Sequence, residues 1–292
     1  MKIAVAQISS VLGNPEKNIK HHLDYCDEAI KNKADMIVFP ELSLTGYSLK
    51  DLNFMIAVNL EKTNLLNDLK KKSRKISIIC GLAEEDDNFA IHNSGILIED
   101  GMIKYSHRKI YPPTYGLFEE LRYFSSGKIC RACDSKIGKT GILVCEDMWH
   151  LPLPYLMAMD GAQVITGIAA SPTRLAAEND KFRNYEINSE HHRTFARLLS
   201  VYFVFSNRVG FEDGINFWGG SEIIDPFGNV IAAAKLFEED MIYGEINFEE
   251  VKRARHQARH FLDENAEITV QNLMKIKDMA FYINNDNNEE PG

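Results

Sequence analysis

The sequence predicts an α/β layered domain. Short apolar runs, mostly β-branched or aromatic, recur along the chain, and stretches with helical periodicity lie between several of them. Glu99-Asp100-Gly101, a turn signal between two such runs, adds a hairpin to the alternation. In order, the expected strands are 3–8, 36–39, 76–80, 95–98, 141–145, 164–170, 202–205 and 221–224. The expected helices are 14–33, 53–72, 178–199 and 268–281. The first helix opens on Asn14-Pro15 and places Ile19, Leu23, Cys26 and Ile30 on one face. No linker rich in Gly, Pro or Ser and no repeat interrupts the pattern. Residues 1–283 therefore read as one domain, and 284–292, which have nothing apolar to bury, as a disordered tail.

The chain has 292 residues, 45% hydrophobic and 26% charged, the balance of a globular protein large enough to bury a core without disulfides or metals. Its 33 Lys+Arg stand against 42 Asp+Glu, a net charge of −9. With no basic stripe to neutralise phosphates, a role on nucleic acid or at an anionic membrane surface is not expected. No apolar run approaches the roughly 18 residues of a membrane helix. The opening, Met1-Lys2-Ile3-Ala4-Val5-Ala6-Gln7, is too short and polar for a signal peptide. The five cysteines read as reduced thiols, so a cytoplasmic location is expected.

Three strand ends carry unusual polar residues. The run 36–39 ends abruptly, after Pro40, in Glu41; a carboxylate there is desolvated, which suits a general base, although a Glu capping the next loop would look the same. Lys109 stands where a strand turns into a loop stiffened by Pro112-Pro113; a lone Lys there is ordinarily solvated. Cys145 closes the run 141–145 and precedes a helical stretch. A helix N-terminus and a nearby cation would favour its thiolate, whereas a buried Cys can equally be a small hydrophobe.

Together the three residues stand in the order Glu41, Lys109, Cys145. That order and spacing resemble the Glu–Lys–Cys triad of the nitrilase superfamily of carbon–nitrogen hydrolases. The resemblance spans nearly the whole chain. It rests also on Val5-Ala6-Gln7, Phe39-Pro40-Glu41-Leu42-Ser43-Leu44-Thr45-Gly46-Tyr47, His107-Arg108-Lys109, Leu143-Val144-Cys145-Glu146-Asp147, Ser206-Asn207-Arg208-Val209-Gly210, Gly219-Gly220-Ser221 and Asp225-Pro226-Phe227-Gly228. One departure is Ser48, where many members carry Pro after Gly-Tyr.

The resemblance implies a four-layer α-β-β-α sandwich, assembled as a homodimer or higher homo-oligomer. It further implies that Cys145 attacks an amide carbonyl, that Glu41 shuttles the protons, and that Lys109 with the Glu146 N–H holds the oxyanion. A second glutamate, usual just upstream of an aromatic pair, falls on Glu120 rather than Glu119, because Glu120 stands three residues before Tyr123. The segments 115–124 and 145–149 are most similar to the glutaminase domain of glutamine-dependent NAD synthetase, and free-standing amidases with the same motifs exist. Glu146 would then meet a substrate α-ammonium and Ser171 add a hydrogen bond, with Tyr47, Tyr115 and Trp149 as further substrate contacts. The chain ends at residue 292 without an ATP-binding motif. The expectation is therefore an amidase that takes a small linear amide and water and needs no metal or organic cofactor. The alternatives are a glutaminase or ω-amidase-like enzyme, then a nitrilase or a silent scaffold.

Other signals are set aside. Gly138-Lys139-Thr140 imitates a phosphate-binding loop, but the required first glycine falls at Cys133. Cys130 and Cys133 form a CxxC without a second pair. His256 and His260 lie four apart on an expected helix, with Gln257 where a zinc protease needs Glu. His21-His22 and His191-His192 read as surface or packing residues.

Overall fold

The computed structural model describes residues 1–173 and 182–286, the side chains of 279–286 excepted. In chain order come β1 (Lys2–Gln7), α1 (Pro15–Lys31), β2 (Met36–Val38), α2 (Asn53–Ile56), α3 (Asn67–Lys72), β3 (Ser77–Glu85), β4 (Ile91–Glu99) and β5 (Met102–Arg108). Then follow α4 (Glu120–Tyr123), β6 (Cys133–Ser135), β7 (Gly138–Val144), a 3₁₀ turn (Cys145–Trp149), α5 (Pro152–Met159), β8 (Val164–Ala169) and α6 (Arg183–Leu199). The chain continues through β9 (Tyr202–Asn207), β10 (Val209–Glu212), β11 (Ile215–Trp218), β12 (Glu222–Ile224), β13 (Val230–Ala233), β14 (Asp240–Glu245), α7 (Phe248–Gln257) and α8 (Ala266–Asp286).

Two six-stranded sheets, ordered β14-β1-β2-β3-β4-β5 and β13-β12-β9-β8-β7-β6, have the same plan. Each is parallel at its centre, β1-β2-β3 in one and β7-β8-β9 in the other, with antiparallel strands outside. The central strands are buried on both faces, which is why they read as continuous apolar runs. One face of the first sheet carries Ala4, Ala6, Ile37, Ile78 and Ile96 against Ile19, Cys26 and Ala29 of α1. Asn14 caps that helix by accepting the Lys17 N–H, and Pro15 pre-sets its first turn. Helices α5 and α6 cover β7 and β9 of the second sheet. The inner faces meet where β4 approaches β7: a Cβ on Gly95 would lie 2.8 Å from Ile142 Cγ2 and 2.9 Å from Ile168 Cδ1. Only a residue without a side chain lets the sheets close there. The fold is the four-layer α-β-β-α sandwich.

The elements differ from expectation in places. The helix expected over 53–72 is broken into α2 and α3. Val58 leaves the helix to bridge Glu84, the Asn59 side chain accepts the Glu61 and Lys62 amides, and Thr63 accepts that of Leu65. Such local side-chain bonds satisfy the backbone in a non-helical form. The expected helix 178–199 is described from Arg183 onward, residues 178–181 lying outside the described residues. The hairpin β10–β11 was not expected, although its turn, Asp213-Gly214 with φ of 49° and 80°, is a hairpin signal.

The sandwich lies within one compact unit that ends at Ala254, and the described residues from Arg255 onward form a second. His256 lies in the last turn of α7 while His260 sits in a separate 3₁₀ turn, Arg259–Phe261, so the expected shared helix face does not exist. Helix α8 runs through Asp286, and residues 287–292 of the expected tail lie outside the described residues. Among the described residues no helix is long and apolar enough to cross a membrane.

Candidate active site

The central strands of both sheets deliver polar residues at their carboxyl ends, where α/β sheets place their ligands. Glu41 follows β2, Cys145 follows β7, Ser171 follows β8 and Asn207 ends β9. Lys109 directly follows β5, whose partner strand β4 contributes Asn93.

Glu41 is fully buried. Its Oε1 accepts from Lys109 Nζ at 2.8 Å and from Asn93 Nδ2 at 2.7 Å, and its Oε2 accepts the Ala170 N–H at 2.7 Å. Lys109 Nζ also donates to both oxygens of Glu120, at 2.8 and 2.7 Å. Tyr47 Oη donates to Glu120 Oε1 at 2.7 Å. A buried ammonium thus sits between two carboxylates, every member hydrogen-bonded, which is the condition for such a network to persist. Burial opposes the charge on Lys109, but Glu120 and Glu41 overcome it and hold its pKa well above the lysine range. Burial and the Glu41 carboxylate push Glu120 up, against the pull of Lys109. Burial and the same two carboxylates raise Tyr47 far above the usual phenol range, so its hydroxyl keeps its proton and donates.

Cys145 adopts a φ of 46°, a left-handed conformation that costs a side-chain-bearing residue roughly 1–3 kcal/mol and clusters at functional sites. The turn reverses the chain at the end of β7. Asp147 anchors it from within: its carboxylate, fully buried, accepts the Ile110 and Tyr111 N–H groups at 3.0 Å each, Val144 N–H at 3.3 Å and His107 Nε2 at 2.8 Å. One carboxylate thereby ties the loop after Lys109 to the turn that carries Cys145. The thiolate expected from a helix N-terminus is not favoured here. Burial and then Glu41 raise the Cys145 thiol well above the usual cysteine range; Lys109 opposes them, and Glu120 and Glu146 add to the rise. The following helical segment is only a 3₁₀ turn, so its dipole is small.

Cys145 opens into a cleft of about 220 Å³ together with Tyr115, Phe118, Glu146, Trp149 and Ser171. Glu146 Oε2 accepts from Tyr115 Oη at 2.9 Å, and Ser171 Oγ accepts from Trp218 Nε1 at 3.1 Å. Tyr47 instead lines a neighbouring cleft of about 230 Å³ with Lys50, Leu117 and Glu120. Glu119 points into solvent beside the buried Glu120.

Residues 2–256 match the family model described as carbon-nitrogen hydrolase. The chain belongs to the carbon-nitrogen hydrolase family. Over 282 residues it is 30% identical to the glutamine-dependent NAD(+) synthetase of Acinetobacter baylyi, covering 95% of this chain and 50% of that protein. It is 28% identical over 281 residues to the citrullinase of Francisella tularensis, covering 92% of this chain and 96% of that protein. The chain spans about half the length, or less, of the synthetases it matches. Among solved structures, a carbon-nitrogen hydrolase from Helicobacter pylori superposes with a TM-score of 0.80 at 25% identity, covering 91% of this chain and 96% of that one. The amidase from Nesterenkonia sp. AN1 shares the fold, with a TM-score of 0.75 at 21% identity over 93% of this chain and 99% of that one.

Within this carbon-nitrogen hydrolase, sequence reasoning passed over Asn93, Asp147 and the Ala170 amide. Asp147 stands in the quoted Cys145-Glu146-Asp147 run, and a buried strand bearing Asn93-Ser94 is itself a polar anomaly that marks a partner elsewhere. The cysteines set aside are held as thiols: Cys130 and Cys133 donate to the Leu153 and Thr140 carbonyls, and burial pushes both up to about 12. His22 is buried between Asn18 O and Ser43 Oγ, with burial lowering it to about 3, and His192 is buried against Glu222.

Proposed function

We propose that this carbon-nitrogen hydrolase is an amidase that cleaves a small linear amide to acid and ammonia through a thioester on Cys145. The observation that carries the reading is the buried Glu41–Lys109–Glu120 network next to a nucleophile on a strained turn. Because the thiol is protonated at rest, attack requires a base. Glu41 takes the Sγ proton as sulfur bonds to the carbonyl carbon. Lys109 spends two of its contacts on Glu120, and one N–H re-aims from Glu120 to the oxyanion as it forms, joined by the Glu146 N–H. Glu41 then returns the proton to the departing nitrogen, the C–N bond breaks, and ammonia leaves. Water, deprotonated by Glu41, attacks the thioester; the carboxylic acid departs and the thiol recovers its proton. Glu120 holds Lys109 in place throughout.

A second reading, a glutaminase or ω-amidase-like enzyme, is favoured by one observation: the Glu146 carboxylate lies in the same cleft as Cys145. The names of the relatives point the same way, since glutamine and citrulline both join an α-ammonium to a terminal carbamoyl group. Ammonia release from butyramide, L-glutamine and L-citrulline separates the readings, and intact mass should show an acyl adduct on Cys145. Cys145→Ala should lose all turnover with its fold intact. Retention of more than about one part in a hundred of kcat/KM would exclude covalent catalysis at this residue.

A further inference from the structure

The Asn207-Arg208-Val209-Gly210 motif does more than close a strand. Asn207 Oδ1 accepts the Ser171 N–H at 2.9 Å and so braces one wall of the Cys145 cleft. Arg208, 1% exposed, donates from Nη1 to Glu212 Oε2 at 2.9 Å and lies over the Phe217 ring at 4.4 Å. Glu212, also buried, turns its other oxygen to two successive amides, Tyr47 N–H at 2.9 Å and Ser48 N–H at 2.7 Å. The Tyr47 ring packs edge-on to Phe217, and its hydroxyl reaches Glu120. An unbroken line of polar contacts therefore runs from Arg208 through Glu212 and Tyr47 to Glu120 and Lys109.

We propose that Glu212, charge-balanced by Arg208, is a positioning residue. It fixes the Tyr47 backbone so that the hydroxyl donates to Glu120 and keeps that carboxylate aimed at Lys109. The proposal rests on the catalytic reading of Lys109 and Glu120 above. A buried ion pair is a poor device for stability alone, because an apolar pair of similar size generally does as well. One carboxylate oxygen receiving two consecutive N–H groups, by contrast, dictates where that main chain lies. Gly46 makes room for it: a Cβ there would stand 2.7 Å from Leu12 Cα and 3.2 Å from Glu212 Oε2.

The test is a double-mutant cycle read by ammonia release from whichever of butyramide and L-glutamine turns over. Glu212→Asp keeps the charge for Arg208 but withdraws the acceptor from the two amides; Tyr47→Phe removes the hydroxyl. Each should lower kcat about ten-fold, the value of one well-made hydrogen bond, with KM within about two-fold. The double variant should be no slower than Tyr47→Phe alone, since both changes break one line of contacts. Multiplicative losses near a hundred-fold, or a Glu212→Asp variant with wild-type kcat, overturn the proposal. Should Glu212→Asp fail to fold, Arg208→Lys takes its place with the same expectation. Glu120→Gln run alongside separates this proposal from the reading it rests on. If it keeps wild-type kcat, the catalytic reading of Glu120 and Lys109 fails; if it is slow and the cycle is multiplicative, only the positioning role of Glu212 fails.

Discussion

Lys109 Nζ lies 2.8 Å from Glu41 Oε1 and 2.7 Å from Glu120 Oε2, a single ammonium joining two carboxylates that stand far apart in the chain. The neighbouring Glu119 takes no part, because the short helix α4 turns it outward. Glu120→Gln keeps the shape and removes the charge, so kcat should fall roughly 10²–10⁴-fold, the range of a positioned acid or base. Glu119→Gln should stay near wild type, as surface substitutions do. Steady-state assays of the two variants side by side decide it: a dead Glu119→Gln would shift the role by one residue.

Lys109→Gln should be both slow and unstable. Its loss should fall on kcat rather than KM, because the oxyanion contact proposed for it strengthens only as the intermediate forms. It also leaves two buried carboxylates without a counter-ion, which costs about 3–5 kcal/mol when one partner of a buried pair is removed. The sign of the pH dependence follows from Glu120, whose folded pKa is already raised. A carboxyl raised on folding binds its proton more readily in the native state, so stability improves as pH falls from the folded toward the unfolded value. Urea unfolding should therefore show a smaller penalty for Lys109→Gln at pH 5.5 than at pH 7.5. An equal penalty at both would mean that Glu120 is not the group left uncompensated.

The Cys145 thiol gives a pH signature of its own. Its pKa lies above the usual cysteine range, so the thiolate fraction falls about ten-fold for each unit of pH below it. Alkylation by iodoacetamide, followed by intact mass, should accelerate steadily through pH 7 to 9 with no plateau. Lys109 is the neighbour that favours the thiolate, so Lys109→Gln should react more slowly at every pH. A plateau near neutrality would show a pre-formed thiolate and remove the need for Glu41 as the first base.

How much of this was legible in the sequence depends on how local the signal was. Glu41 and Cys145 announce themselves because an apolar strand stops abruptly at a polar side chain. Lys109 has no such mark and came forward only through its order between the other two. Asn93 marks itself only as a polar residue in a buried strand and Glu212 not at all: their partners lie 52 and 165 residues away, and no local pattern encodes which strand end meets which loop. The same holds for the elements. β1, β2, β7, β8 and β9 are buried on both faces and read directly, whereas β13 and β14 are half-exposed edge strands without a continuous apolar run. The helix expected over 53–72 failed because Asn59 and Thr63 offer the backbone local bonds that outweigh a helical period.

Gly81 shows how closely Glu41, the proposed base, is seated. It lies in β3 beside β2, and a Cβ on it would come 2.3 Å from Leu42 N and 2.8 Å from Glu41 Cα. Those are backbone atoms, so no side chain can swing aside, and Leu42 already holds a φ of 48°. Gly81→Ala must therefore displace the main chain that bears Glu41. The expected cost is about 1–3 kcal/mol, typical of overpacking. Activity should fall further than that loss of folded protein explains, since an acid–base group about 1 Å out of place loses on the order of 10²-fold. Thermal unfolding and kcat measured on the same preparation separate the two. Wild-type kcat in a destabilised protein would show that Glu41 tolerates displacement.

Glu146 decides between the two substrate readings. Its carboxylate is oriented by Tyr115 Oη at 2.9 Å and shares the Cys145 cleft. Glu146→Gln preserves the size of the side chain and its acceptor for Tyr115 while removing the charge. Butyramide carries no charge, so its KM and kcat should change little. An amide bearing an α-ammonium would lose a charge-assisted contact, worth about 1.5–3 kcal/mol, and its KM should rise on the order of ten- to a hundred-fold. The contact is the same in the ground and transition states, so kcat should hold. Comparing butyramide with L-glutamine in wild type and Glu146→Gln therefore gives four KM values with one expected change. If the L-glutamine value does not move, Glu146 does not recognise an ammonium, and the amidase reading stands without its glutaminase-like alternative. If butyramide loses as much as L-glutamine, the carboxylate acts on the reacting amide itself, and its place is in the chemistry.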